Sequence, residues 1–187
     1  MKNKIRNILL GVTLVAPLYP AGAADSSETP KAGDKAPLVE GRDQDGKPWR
    51  LKDAAGKQAV LLYFYPKDDT PGCTKEACSF RDVHSSFGDA DTEVWGLSPQ
   101  GPASKAAFRA KYGLPFTLLA DEDHAVADSY GSWVEKEKYG KKYWGVARNS
   151  FLVGPDGRLV HVWTAVQPED HAAEVLEALH QARASLV

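Results

Sequence analysis

The sequence predicts an α/β protein with one mixed central β-sheet, helices on both faces and an N-terminal β-hairpin extension. Three observations predict this class. Apolar, strand-like runs alternate with helix-like runs over residues 59–130. A Gly-Pro-Asp-Gly turn at residues 154–157 separates two apolar runs and predicts a second hairpin. An amphipathic run at residues 168–186 predicts a final helix.

The first half of the chain predicts a hairpin, a central strand, a helix and a further strand. Residues 59–65 are continuously apolar, which is expected of a strand covered on both faces. The hairpin strands are bounded by turn residues. In order, the predicted elements are strands at 38–40 and 49–51 about a turn at 43–47, a strand at 59–65, a helix at 75–87 and a strand at 91–97.

The second half continues the alternation and ends in the second hairpin and the C-terminal helix. The helix at 102–112 has Pro102 at its start and stops at Gly113. The charged segment at 133–143 predicts a solvated loop or ribbon. The remaining elements are a strand at 116–119, a short helix at 123–130, strands at 150–153 and 159–163, and a helix at 168–186 with an apolar stripe of Val175, Leu176 and Leu179.

The N-terminus has the pattern of a bacterial signal peptide. Its first six residues carry three positive charges, residues 8–18 are apolar, and Ala21-Gly22-Ala23 is a small-x-small cleavage pattern. The apolar run is shorter than the roughly 20 residues of a membrane-spanning helix. We therefore predict a signal peptide at 1–23 cleaved near Ala23, a flexible leader at 24–35 and one domain at 36–187. The protein is expected to be exported, which in a bacterium means to the periplasm. An uncleaved anchor is the alternative.

The charge of the chain argues against polyanionic partners. The 23 basic and 25 acidic residues give a net charge of −2, and loss of residues 1–23 leaves 20 basic and 25 acidic residues, or −5. Nucleic acids and anionic membranes select basic surfaces. Neither is expected as a partner, and we expect a monomer.

Both cysteines of the chain, Cys73 and Cys78, lie in the run that follows the predicted central strand and opens the predicted helix. A thiol in the first turn of a helix lies at the positive end of the helix dipole, which favours the thiolate. The thiolate is the reactive form. The run therefore predicts a nucleophile with a second thiol nearby.

Two structural interpretations of the cysteine pair are disfavoured. A disulfide that closes so short a loop stabilises the folded state by only about 2 kcal/mol. On a helix, the Cα atoms of Cys73 and Cys78 would lie about 8.5 Å apart, beyond the roughly 7 Å that a disulfide spans. A metal site would need further ligands at suitable spacing. The five histidines are scattered along the chain, at His84, His124, His161, His171 and His180.

Two redox interpretations remain. A thiol–disulfide exchange protein acting on client proteins is one, although that chemistry usually relies on a Cys-x-x-Cys pair rather than the Cys-x4-Cys spacing seen here. A thiol peroxidase is the favoured one. It needs a thiolate, donors for the leaving oxygen, and a nearby thiol that condenses with the resulting sulfenic acid. No cofactor is needed for that chemistry.

The core of the motif around the cysteines is Thr70-Pro71-Gly72-Cys73. This motif closely resembles that of the peroxiredoxins, and within them of the bacterioferritin comigratory protein or peroxiredoxin Q group. The likeness runs from about Gly33 to the C-terminus. It rests on residues 33–37, 66–74, 76–82, 116–121 and 148–153.

The resemblance implies a thioredoxin-like fold and a role for each matching residue. Cys73 would be the peroxidatic cysteine, and Cys78 the resolving cysteine of an intramolecular disulfide. Thr70 would hydrogen-bond the thiolate and the peroxide, and Pro66 would shield the site. Arg148 would stabilise the thiolate and donate to the peroxide oxygen.

The resemblance also implies substrates and a reductant. The substrates would be hydrogen peroxide and organic hydroperoxides, and the family's usual reductant is thioredoxin. Many members of the group are cytoplasmic, so the predicted signal peptide is a departure. An exported member would need a periplasmic thioredoxin-like or glutaredoxin-like reductant.

Overall fold

The structure is a computed structural model that describes residues 28–54 and 56–184. Its strands alternate with helices along most of the chain, as the sequence predicts. The strands are β1 (Glu40–Asp43), β2 (Pro48–Arg50), β3 (Ala59–Phe64), β4 (Thr92–Ser98), β5 (Thr117–Ala120), β6 (Trp133–Lys138), β7 (Lys141–Val146), β8 (Ser150–Val153) and β9 (Leu159–Trp163). The helices are α1 (Leu51–Ala54), α2 (Pro71–Asp82), α3 (His84–Asp89), α4 (Pro102–Tyr112), α5 (Ala125–Ser129) and α6 (His171–Ala184).

Seven strands form one mixed sheet in the order β2-β1-β5-β4-β3-β8-β9. The strands β3, β4 and β5 are parallel to one another, whereas β8 runs antiparallel to β3, and β1 antiparallel to β5. The strand β3 lies inside the sheet and is almost fully buried, as its apolar sequence predicts. The remaining strands, β6 and β7, form a separate two-stranded hairpin.

Alternate residues of β3 separate two hydrophobic cores, one on each face of the sheet. Leu62 and Phe64 face one core, which also contains buried residues of α1 and α5. Leu61 and Tyr63 face the other, which contains buried residues of α2, α3, α4 and α6. Helices therefore cover both faces, and the predicted fold class, a mixed sheet in a thioredoxin-like α/β fold, is confirmed.

Several boundaries differ from the sequence prediction. The helix predicted at 75–87 begins earlier, at Pro71, and is divided at Val83, whose backbone leaves helical geometry (φ −114°, ψ 16°). The C-terminal helix begins at His171 rather than at residue 168. The segment predicted as a solvated loop or ribbon is the β6–β7 ribbon, with Tyr139 at its turn 93 % exposed.

The predicted signal peptide at 1–23 lies outside the described residues. Of the predicted leader, residues 28–35 are described, and these contact the domain: the Gly33 amide donates to the Leu159 carbonyl (2.7 Å), and the Leu159 amide donates to the Asp34 carbonyl (2.9 Å). These bonds attach residues 33 and 34 to the edge of the sheet at β9. Within the described part of the chain, no helix is long and apolar enough to cross a membrane.

Candidate active site

Cys73 is the third residue of α2 and is buried, with 1 % of its surface exposed. Local sequence explains why the helix starts here. Thr70 has extended backbone angles, Pro71 follows it as the first helical residue, and the Thr74 amide donates to the Thr70 carbonyl (2.8 Å) to close the first turn. The thiol therefore lies at the positive end of a twelve-residue helix, as predicted.

Arg148, in the connection between β7 and β8, lies beside the thiol. Its Nη2 donates to Cys73 Sγ at 3.2 Å, and its Nη1 donates to Glu76 Oε2 at 2.6 Å. Gly72 leaves room for this approach, because a Cβ at that position would lie 2.9 Å from Arg148 Nη2. The guanidinium thus bridges the sulfur and the Glu76 carboxyl group, and its charge and hydrogen bonds face the position where negative charge develops in the reaction.

Glu76 was not among the residues predicted from the sequence. It follows Cys73 by three positions on α2, so both side chains lie on one helix face. Only 1 % of its surface is exposed, and burial raises the pKa of its carboxyl to about 7 despite the neighbouring Arg148. The i, i+3 spacing after the cysteine was the signal that could have identified it.

Thr70 and Pro66 lie in the loop between β3 and α2, as predicted. The Thr70 hydroxyl donates its one proton to the Lys67 carbonyl (3.0 Å), not to the thiol as the family resemblance implies. Its oxygen lone pairs can accept a hydrogen bond from a peroxide O–H. Pro66 is half-buried at the bend that follows β3.

Cys78 lies on the same continuous helix as Cys73 and is half-buried. Both thiols are free. Ideal helix geometry puts their Cα atoms about 8.5 Å apart, beyond disulfide reach. The structure is therefore that of the reduced protein with a formed α2 helix.

A buried polar cluster that the sequence did not reveal anchors the loop before Cys73. Asp68 accepts hydrogen bonds from Tyr65 Oη (2.7 Å), Ser104 Oγ (2.6 Å) and Lys105 Nζ (2.9 Å). Burial lowers the pKa of Lys105, and Asp68 opposes that effect. The cluster fixes the path of the chain from β3 to Thr70.

A thiol at a helix start, paired with a guanidinium and followed by a second thiol, defines a thiol-based redox enzyme on a thioredoxin-like fold. Among the described residues, no group of three or more His, Cys, Asp or Glu side chains is placed to hold a metal.

Comparisons with known proteins agree with this class. The model of the AhpC/TSA family matches residues 32–162. Peroxiredoxin Bcp of Bacillus subtilis is 44% identical over 151 residues, which are 81% of this chain and 96% of that protein. A putative peroxiredoxin bcp of Coxiella burnetii is 46% identical over 149 residues, 80% of this chain and 98% of that protein.

Solved structures give the same result. A PrxQ mutant from Xylella fastidiosa has a TM-score of 0.77 at 30% identity and covers 84% of this chain and 99% of that one. The bacterioferritin comigratory protein of Xanthomonas campestris has a TM-score of 0.73 at 35% identity, and the match covers 77% of this chain and 91% of that one. The chain belongs to the AhpC/TSA family, among the peroxiredoxins of the Bcp and PrxQ type, and is a thiol-dependent peroxidase.

Arg148→Lys should slow oxidation of Cys73 by peroxide by about 10²-fold. Lysine keeps the charge but loses the planar fork that reaches Cys73 Sγ and Glu76 Oε2 together. Stopped-flow tryptophan fluorescence during peroxide addition gives the second-order rate constant. The exposed Arg158, which donates to the Gly33 carbonyl, supplies a control: Arg158→Lys should react at the wild-type rate. An unchanged rate in Arg148→Lys would contradict the assignment.

Glu76 should make the stability of the protein fall as pH rises from about 4.5 to about 7. Its pKa is about 7 in the folded protein against an ordinary 4.5, so the folded state holds a proton that the unfolded state has lost. The stability contribution is complete below pH 4.5 and is lost as pH rises through 7, by about 3 kcal/mol. Urea unfolding of wild type and Glu76→Gln at pH 4.5, 6 and 8 measures it. A difference in unfolding free energy between wild type and Glu76→Gln that stays constant with pH would refute the prediction.

Proposed function

We propose that Cys73 is the peroxidatic cysteine and that Cys78 resolves it within the same chain. The observation that carries this proposal is the 3.2 Å contact between Arg148 Nη2 and the buried Cys73 Sγ at the start of α2. Cys78 is only half-buried and interacts with a different guanidinium, that of Arg81. The two thiols thus occupy unequal environments, which suits unequal roles.

In the first step the Cys73 thiolate attacks the terminal oxygen of a hydroperoxide. The S–O bond forms as the O–O bond breaks, and the leaving alkoxide takes up a proton. The net result is conversion of thiol and ROOH to sulfenic acid and ROH. The Arg148 guanidinium donates to the oxygens as charge develops on them, and the Thr70 oxygen accepts from the hydroperoxide O–H.

In the second step the Cys78 thiol attacks the sulfur of the Cys73 sulfenic acid. The S–S bond forms and the S–O bond breaks, with release of water. The two Cα atoms are about 8.5 Å apart on an ideal helix, so α2 must unwind locally before the bond can close. Because both cysteines belong to one chain, we propose that a monomer completes the cycle.

A dithiol reductant of the thioredoxin type returns the protein to the reduced state. It exchanges its two thiols for the Cys73–Cys78 disulfide and becomes oxidised itself. Because residues 1–23 have the pattern of a signal peptide, we propose that the protein is exported to the periplasm and that its reductant there is a thioredoxin-like or glutaredoxin-like protein.

We propose hydrogen peroxide and organic hydroperoxides as substrates. The related structure from Xanthomonas campestris, at 35% identity, is described as showing alkyl peroxide reduction activity. The test is consumption of hydrogen peroxide and of cumene hydroperoxide by the purified protein with dithiothreitol. Consumption should scale with protein and stop after alkylation of the thiols. Oxidation that is faster with a protein disulfide than with either peroxide would instead favour thiol–disulfide exchange.

A further inference from the structure

The β6–β7 hairpin leads directly into the active site but has no part in the chemistry above. Its second strand ends at Val146, two residues before Arg148. The Ala147 amide between them donates to the Ser132 carbonyl (2.7 Å), just before β6, which fixes the base of the hairpin. The hairpin therefore stands beside the residue that holds the Cys73 thiol.

Strand register places Lys136, Tyr143 and Gly145 on one face of this hairpin. Lys136 pairs directly with Tyr143, and Gly145 is two residues further along β7. A Cβ on Gly145 would lie 3.5 Å from Tyr143 Cε2 and 3.7 Å from Lys136 Cδ, so the ring and the lysine stem both lie over the glycine. On the opposite face Trp133 stacks on His124, with ring centroids 4.1 Å apart.

Lys136 directs its ammonium towards the active-site end of the hairpin. Its Nζ donates to the carbonyl of Val146, next to the connection that carries Arg148. An ammonium has three donors, so two remain for a ligand. The pKa of the half-buried Lys136 is lowered by burial first and then by Arg148, while Cys73 opposes the shift. The bond to the Val146 carbonyl therefore holds the amine at the base of the hairpin, beside the connection that carries Arg148.

We propose that Lys136 is a specificity residue that favours organic hydroperoxides bearing a carboxylate. The inference rests on the proposed peroxidase function. With its hydroperoxide group at Cys73, such a substrate would place an anion near the Lys136 ammonium and its alkyl part near the Tyr143 ring, which is 46 % exposed. A neutral hydroperoxide gains nothing from the ammonium.

The test compares two alkyl hydroperoxides with the same carbon skeleton, one charged and one neutral: 4-hydroperoxy-4-methylpentanoic acid and its methyl ester. Stopped-flow fluorescence gives the rate constant of Cys73 oxidation by each. Wild type should react about 5- to 10-fold faster with the acid, and added salt should shrink the ratio. Lys136→Met should bring the acid-to-ester ratio to about 1, and Lys136→Arg should keep the preference for the acid.

Lys142→Met is the matched control. It removes the same charge from the other face of the same hairpin, where Lys142 pairs with Glu135 (2.9 Å), and it should keep the wild-type ratio. Equal wild-type rates for acid and ester, or equal slowing of both in Lys136→Met, would overturn the role of Lys136. A wild type that is oxidised by neither compound would instead overturn the proposed function.

Discussion

Cys73→Ser is expected to lower peroxide consumption to the level of a protein-free control. A serine hydroxyl is not ionised at neutral pH, and its oxygen cannot take up the transferred oxygen atom as the cysteine sulfur does when it becomes a sulfenic acid. The Arg148 guanidinium would remain in place, because Glu76 still holds it through a 2.6 Å contact. Loss of activity would therefore result from removal of the sulfur and not from displacement of Arg148. The measurement is consumption of cumene hydroperoxide with dithiothreitol.

Cys78→Ser is the matched control, five residues along the same helix. It should still consume one equivalent of peroxide and leave a Cys73 sulfenic acid that dimedone traps, as detected by mass spectrometry. Full activity in Cys73→Ser would exclude the assignment of the peroxidatic residue. A dimedone adduct in Cys73→Ser rather than in Cys78→Ser would reverse the two roles.

Lys105→Met is expected to destabilise the fold by about 3–5 kcal/mol. Lys105 is completely buried, and its Nζ lies 2.9 Å from Asp68 Oδ1. Removing the ammonium leaves a buried carboxylate that keeps only neutral donors, including the Tyr65 and Ser104 hydroxyls. Urea unfolding at neutral pH measures the loss.

The neighbouring surface pair gives the control. Lys111 is on the same helix, and its Nζ contacts Asp69, the residue after Asp68, at 2.7 Å with both side chains about half exposed. Lys111→Met should destabilise the fold far less than Lys105→Met, because solvent screens an exposed ion pair. Equal losses in the two variants would show that Asp68 and Lys105 do not form the buried anchor of the active-site loop.

The sequence predicted most of the fold because its strands and helices carry local signals. The apolar run of β3 and the Pro102 and Gly113 boundaries of α4 match the structure closely. The division between α2 and α3 at Val83 was missed, since neither glycine nor proline marks it. The thioredoxin-like fold and the place of Arg148 came from the family resemblance rather than from residue periodicity.

The supporting residues of the site were less predictable because they act across long sequence separations. Lys105 meets Asp68 across 37 residues, and nothing near either one indicates a buried ion pair. Glu76 has a local signal, its position one helical turn after Cys73, but its burial depends on packing from distant segments. Cys73 and Cys78 were identified because their chemistry and spacing are local.

The Cys73–Cys78 disulfide is expected to form only when α2 unwinds. Amide hydrogen exchange of residues 73–80 in reduced and peroxide-oxidised protein tests it most directly, with the helix α4 as an internal reference. We expect oxidation, with the disulfide verified by mass spectrometry, to remove protection from residues 73–80 and to leave the protection of α4 unchanged. Equal protection of residues 73–80 in both states would contradict it.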